Sequence, residues 1–461
     1  MFFSKKKECK KESIKGFTLI EALVLLFIFS VVSITFLQTY AVGTHLIIES
    51  KNRLGATALA NQKMEIIRSL DYSAVGTQSG VPAGDILPNE DISINTTKYT
   101  VHTVIQYVDD PFDGRAALGT DTTPNDYKKV HLEVSWGAGG DNQKVILFAN
   151  ISPNGIETPI SGGVLTINIL DTAGAGIPGV SVHLVNPSTS IDAVYLTDAT
   201  GNVTLPGTPT STPLGDQDYA LTVSKTGYYT AINYPPAPTS TFDPVDEYVS
   251  VVDGVLNPVT MVLTEATNLT IQTKDPSGTA LPNIDFTIKG GKILGTTLPA
   301  PGTDVYSLDQ SANTGGSGSH TFSSQSTGTY TIKTSSARYE FWKLNPSSVT
   351  PGVVNIVSGG NQNVDIVLLD TQIGSVKAII QNQADGTPLA GASVHLTNTL
   401  LSYDATEIAD QYGVAYFSTN ATGLTAGTYT MDTSMTGFAD TSESVVVSTS
   451  LVTKTTQLTA N

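Results

Sequence analysis

Residues 17–37 form an apolar run that carries a single charge, Glu21, and they follow a leader containing Lys5, Lys6, Lys7, Lys10, Lys11 and Lys15. Roughly 20 apolar residues suffice for a helix to cross a hydrocarbon core, so this run is predicted to span a membrane. Lysines hold the leader on the cytoplasmic side by the positive-inside tendency, which puts the rest of the chain outside. An ionised carboxylate in hydrocarbon costs at least a few kcal/mol. Glu21 therefore needs a compensating partner.

A secretory signal is cut after its apolar core, beside small residues; here the small residue, Gly16, precedes the core. The segment Lys15-Gly16-Phe17-Thr18-Leu19-Ile20-Glu21 resembles the processing site of type IV pilins and pseudopilins. The resemblance implies cleavage between Gly16 and Phe17 by a membrane-embedded prepilin peptidase. It also implies methylation of the new Phe17 amine and an assembly role for Glu21. A helix joining a bundle of like helices would pair that carboxylate with a neighbour's N-terminal ammonium, compensating two charges where the dielectric is low. The competing reading is an ordinary signal anchor with a stray acid.

Helical character is predicted to continue to about residue 70, with Ile48, Leu59, Ile66 and Leu70 near one face and Lys51, Arg53, Lys63 and Arg68 mostly elsewhere. Asp71-Tyr72-Ser73, then Gly76, Gly80, Pro82 and Gly84, end it. Period-2 alternation then predicts strands within 91–108, 127–136 and 144–149. A long helix covered by three or four antiparallel strands is the pilin-like arrangement, an α+β N-terminal part.

From about residue 162 strands alternate with Gly, Pro, Asp and Asn, and a repeat emerges. Pro178-Gly179-Val180-Ser181-Val182-His183-Leu184 aligns with Pro282-Asn283-Ile284-Asp285-Phe286-Thr287-Ile288 and with Ala390-Gly391-Ala392-Ser393-Val394-His395-Leu396. Tyr219 with Tyr228, Tyr330 with Tyr339, and Tyr429 with Phe438 repeat at equal spacing. Turn signals stand at Asp198 to Gly201 and Asp410 to Gly413, with Asn313 to Gly316 as the nearest middle counterpart. Three tandem all-β sandwiches are predicted. They resemble carboxypeptidase-regulatory-like or Cna B-type modules, which are prealbumin/Ig-like. The expected organisation is a cytoplasmic leader at 1–16, the long helix at 17–70 with its membrane span at 17–37, and a β head at 76–160. Modules follow at 162–265, 266–370 and 371–461.

With 461 residues the chain is too long for one core. Its formal net charge of −17 excludes the basic surface that nucleic-acid binding demands, and loss of the leader would make it more acidic still. The one cysteine, Cys9, lies in the leader, so the processed chain is expected to have neither disulfides nor thiolate metal sites. Many pilins clamp their C-terminal region with a disulfide; this chain departs from that pattern.

Few constellations suggest chemistry. Some Cna B-type modules form a lysine to asparagine or aspartate crosslink assisted by a Glu, but Val223, Thr334 and Thr433 occupy that Glu position here. Ile380 stands where the lysine would fall in the third module, and Lys274 in the second has no matching Glu, so no crosslink is expected. His183 and His395, flanked by inward-facing aliphatics, are expected on the outer face of a strand. The head loop with Asp109, Asp110 and Asp113, and with Asp121 and Asp126 later in the same excursion, has the oxygen donors of a Ca²⁺ site and equally the composition of a solvated turn. No other cofactor is expected. Tyr228-Tyr229, Tyr234, Phe341-Trp342 and Tyr403 either cap sandwich ends or dock a surface ligand, sugar or protein. No catalytic constellation can be singled out, so the protein is not expected to be an enzyme.

These features predict a minor type IV pilin-like structural and adhesive protein of the cell surface. Its partners would be the prepilin peptidase, other pilin subunits, the pilus assembly platform and the membrane. The alternatives are a pseudopilin of a type II secretion or DNA-uptake system and a membrane-anchored surface protein that never polymerises.

Overall fold

The computed structural model describes residues 18–116, 119–121, 123–138, 140, 143–155, 158–211, 216–419 and 423–461. The leader, Gly16 and Phe17 lie outside the described residues. The chain divides into two compact units: one runs to Val108 and resumes at Asp126, and the other takes Asp109–Asn125 and everything from Thr158.

The first unit is built on one helix, α1, Leu19–Arg68. Thr18 caps it, its hydroxyl accepting from the Glu21 N–H at 3.3 Å, and Ser69 closes the other end. Leu19 to Ile48 leaves its large aliphatic and aromatic side chains exposed. Among the described residues α1 is the one helix long and apolar enough to cross a membrane. Its hydroxyls turn inward on the helix itself: Ser30 donates to the Leu26 carbonyl, Thr35 to Val31, Thr39 to Thr35 and Thr44 to Ala41, at 2.7–2.9 Å. Each bond hides a polar group that lipid could not satisfy.

The C-terminal half of α1 is covered by an antiparallel sheet of four strands in chain order: β1 (Asn89–Ile94), β2 (Thr97–Val108), β3 (Tyr127–Trp136) and β4 (Lys144–Ile151). A tight turn at Asn95, φ 55°, joins β1 to β2, a backbone region that asparagine tolerates. Val130, Leu132, Val134 and Trp136 of β3 alternate into the core. The helix face differs from the predicted one. Ala56, Leu59, Ala60, Met64 and Ile67 are buried, whereas Ile48 and Ile66 are exposed. Two alanines let β-sheet side chains approach the helix closely, and a count of large aliphatics overlooks them. Three side-chain links fix the register: Trp136 Nε1 donates to Glu49 at 3.2 Å, Thr97 to Asn52 at 3.0 Å, and Lys63 pairs with Glu90 at 2.6 Å.

Among the described residues of the second unit, six sheets follow one another in pairs along the chain, except that Phe242–Pro244 adds a strand to the sheet of Asp285–Thr297 before the chain returns to Gly163–Leu170. The strand Gly163–Leu170 lies between Asn202–Thr208 and Leu256–Val262, opposite a sheet centred on Ser181–Asn186. Thr267–Lys274 pairs with Ser319–Gln325 and Asn361–Asp370, opposite a sheet centred on Asp285–Thr297. Ser375–Asn382 pairs with Val414–Phe417 and Leu451–Leu458, opposite a sheet centred on Ser393–Asn398.

The repeated tyrosines anchor these cores. Tyr219, Tyr330 and Tyr429 are at most 1% exposed. Their hydroxyls donate to the carbonyls of Pro209, Ser326 and Thr425, which removes the cost of burying an unpaired O–H. The repeated turns are also physical repeats. Asp198 accepts from the N–H groups of Thr200 and Asn202, Asp410 from those of Tyr412 and Val414, and Asn313 from that of Gly315. Gly201 and Gly413 sit at φ 81° and 72° in those turns, where a side chain would be strained.

Candidate functional site

Sequence places the most constrained chemistry at the start of α1. Glu21 lies in the exposed first turn, three residues after the cap. Thr18-Leu19-Ile20-Glu21 also has the spacing of a capping box. The hydroxyl half of that box is formed. A glutamate here also offsets the partial positive charge of the helix N-terminus. Sequence reasoning missed this local role, although the Thr-x-x-Glu spacing announces it.

In the acidic excursion after β2, Asp109 and Asp121 approach each other, with carboxylate oxygens within 4.8 Å. Asp109 accepts from the Ala116 N–H at 2.9 Å through Oδ2, while its Oδ1 and Asp121 Oδ2 are buried without a partner among the described residues. Burial raises the Asp109 carboxyl above the usual carboxylate range. The Ala116 bond opposes that rise, the charge of Asp121 adds to it, Arg115 opposes it and Asp113 adds a smaller share. A hard cation would relieve this crowding, and so would a proton. Asp110 instead closes a turn by accepting from the Phe112 N–H at 3.0 Å, and Asp113 is exposed. Asp126 belongs to the other unit, where its charge acts on Tyr72.

His183 and His395 lie on strands with half-buried side chains, as the alternation implies. Each meets an aspartate diagonally across the sheet: His183 Nε2 to Asp192 at 2.6 Å, and His395 Nε2 to Asp404 at 2.8 Å. The repeated nine-residue offset between histidine and aspartate was the sequence signal, and the expectation of outward-facing histidines made no use of it. Val223 and Thr433 are buried at the positions where a crosslinking module would carry its Glu. Lys274 forms an ion pair with Asp365 at 2.8 Å across the parallel strands Thr267–Lys274 and Asn361–Asp370.

The aromatic Trp342 lies in a joint between successive sheet pairs. Its Nε1 donates to Asp410 at 3.0 Å, the Lys343 ammonium sits 4.0 Å from its ring centroid, and Tyr416 is 5.7 Å away. Beside this joint a cleft of about 390 Å³ opens, lined by Asp275, Arg338, Tyr339, Tyr416 and Ser418 among others.

No family model matches the chain, and no curated protein sequence matches it. Solved structures similar to it include the Bacillus anthracis TIE protein, at 14% identity over 80% of this chain and 72% of that one, TM-score 0.19. A Streptococcal ancillary pilin shares 12% identity over 65% of this chain and 99% of that one, TM-score 0.20. A minor pilin of the gram-positive pathogen Streptococcus agalactiae shares 14% over 42% and 97%, TM-score 0.17. Scores this low describe no common whole-chain superposition, so the fold stands on this chain's own strands and registers.

Proposed function

We propose that the chain is a minor type IV pilin-like surface protein. In this reading prepilin peptidase cuts between Gly16 and Phe17, and α1 enters a fibre, or its tip, by pairing Glu21 with a neighbour's N-terminal ammonium. Three β-sandwich modules are then displayed outside the cell.

The observation that carries this reading is the division of α1. Its N-terminal half exposes a largely apolar surface whose one formal charge is Glu21, and one face of its C-terminal half is buried under a four-stranded antiparallel sheet. A simple anchor needs the first half and has no use for the second being rigidly roofed. The exposed surface continues to Ile48, beyond the span a bilayer requires. Such a surface suits packing against like helices in a fibre core. A pseudopilin would use the same helix in the same way, and the two differ in the machinery they join.

Mass spectrometry of the mature N-terminus is expected to find methylated Phe17; an intact leader refutes processing. Incorporation into sheared filaments then separates the roles of Glu21. Glu21→Gln keeps the capping geometry and removes the charge, so a charge-pairing role predicts that Gln and Ala both lower incorporation by about tenfold or more. Rescue by Gln would assign Glu21 to the helix cap and remove the assembly role.

A further inference from the structure

We propose that the cleft beside Trp342 binds a neutral sugar. Its lining is part aliphatic, from Leu281, Leu368 and Ile373, part aromatic, from Tyr339 and Tyr416, and part polar, from Asp275, Arg338, Asp370 and Ser418. The volume of about 390 Å³ falls within the roughly 300–1,000 Å³ of small-ligand sites, which favour interfaces between packed bodies and are usually preformed.

The walls come from two different sheet pairs and are tied together. Lys377 pairs with Glu340 at 2.6 Å, Lys343 with Asp410 at 3.5 Å, Trp342 donates to Asp410, and Tyr412 Oη donates to the Ser348 carbonyl. A cleft held by four such links keeps its shape without a ligand. Low ordering cost is what a weakly binding, conformationally simple ligand requires.

Charge narrows the class. Arg338 is committed to Asp370, with Nε at 3.0 Å and Nη2 at 2.6 Å from the same oxygen. One cation against two carboxylates leaves the lining net negative, so a carboxylate, sulfate or phosphate group is disfavoured. A cation is not favoured in its place, because the Arg338 guanidinium already lies 5.2 Å from the Tyr339 ring centroid. Hydroxyl groups remain as the best match. Asp275 is left to accept through Oδ2, its Oδ1 being taken by Ser277 and Thr279; three of the five N–H donors of arginine are left over after Asp370; and among the described residues the Ser418 hydroxyl is buried with no partner. A buried orphan hydroxyl is destabilising, and a ligand hydroxyl would recover that loss. The Tyr416 ring and the aliphatic part of the lining suit the C–H faces of a pyranose ring. A ligand of one or two rings is expected to bind with Kd between about 10 µM and 1 mM.

The inference holds whether or not Phe17 is the mature N-terminus, since the cleft lies wholly in the second unit. The test uses the full chain in lipid nanodiscs, with intrinsic fluorescence and saturation-transfer NMR as readouts. The probes are glucose, galactose, N-acetylglucosamine, lactose and cellobiose, set against glucuronate, sialyllactose and inorganic phosphate. Saturable binding of at least one neutral sugar is expected, weakened about tenfold by Tyr416→Ala and at least threefold by Ser418→Ala. The second variant removes an unpaired hydroxyl and so preserves the fold, which an unchanged melting temperature verifies. Failure of every neutral sugar to bind below about 10 mM, tighter binding of an anionic probe, or unchanged affinity in folded Ser418→Ala overturns the proposal.

Discussion

At the scale of single residues, Lys128 is the least expected side chain. It is 2% exposed, and its ammonium donates to the carbonyls of Tyr72 at 2.7 Å and Val75 at 2.6 Å, tying the segment after α1 to the sheet. The Tyr72 and Tyr107 rings lie 4.5 and 5.5 Å from it. Burial lowers its pKa from the ordinary 10.5 to about 8, and burial raises Tyr72 and Tyr107 to about 12. Between pH 8 and 10 the unfolded chain then binds more protons at Lys128 than the folded one, so stability rises with pH. Above pH 10 the tyrosines reverse the sign, because the folded chain keeps phenolic protons that the unfolded chain has lost. A stability maximum near pH 10, about 2 kcal/mol above the value at pH 7, is expected. Urea unfolding followed at Trp136, in a Trp342→Phe background, measures it. Lys128→Met should flatten the rise and cost about 2–4 kcal/mol by orphaning two carbonyls; a flat profile in the parent chain would contradict the buried position. Lys128 shares its parity on β3 with Val130, Leu132 and Val134, so alternation already placed it inward. Its charge is what hid it from a reading that equates lysine with surface.

At the scale of elements, the helix and sheet meet through a contact that no count of hydrophobic residues reveals. Gly55 lies within α1, where replacing glycine by alanine ordinarily stabilises by about 1 kcal/mol. Here the added Cβ would fall inside the contact distance of Tyr99 Oη. Tyr99 is 3% exposed and donates to the Asn52 carbonyl at 3.1 Å, so it has little room to retreat. Gly55→Ala is therefore expected to destabilise the helix–sheet packing by about 1–3 kcal/mol. Combining it with Tyr99→Phe should recover part of that loss, a coupling read from a double-mutant cycle. Gly43→Ala, with no neighbouring atom within 4 Å, should move the other way; equal responses at the two glycines would refute the contact. Element type was legible because periodicity reports which side of a helix or strand is apolar: β3 matched the predicted span, and the predicted 91–108 run holds β2 and the last four residues of β1, which begins two residues earlier. The buried face of α1 was not legible, because Ala56, Ala60 and Gly55 carry too little apolar surface to register. The cleft beside Trp342 was hidden for another reason. Tyr339 and Tyr416 are far apart in sequence, and only the packing of successive sheets brings them together.

At the scale of the molecule, the first and last strands of each facing sheet pair run parallel. Leu256–Val262 lies beside Gly163–Leu170, Asn361–Asp370 beside Thr267–Lys274, and Leu451–Leu458 beside Ser375–Asn382. Chain entering at one end of such a ladder leaves at the opposite end, so tension between entry and exit loads all the ladder's hydrogen bonds together. An antiparallel pair with both ends at one edge would instead open bond by bond. The repeat of about 100 residues in the sequence thus corresponds to a repeated parallel ladder. With Cys9 replaced by Ser, cysteine handles at Ser161 and Thr264 span the first ladder lengthwise, whereas handles at Ser161 and Val255 grip one end of it. Single-molecule pulling is expected to need a clearly higher force in the first geometry. Pulling the whole second unit should give three separate events, each releasing roughly 300–350 Å of chain, if the three-module reading is right. Equal forces in the two geometries would remove the clamp. One merged event in place of three would instead make the sheet pairs a single cooperative body, leaving the clamp intact and the module count wrong.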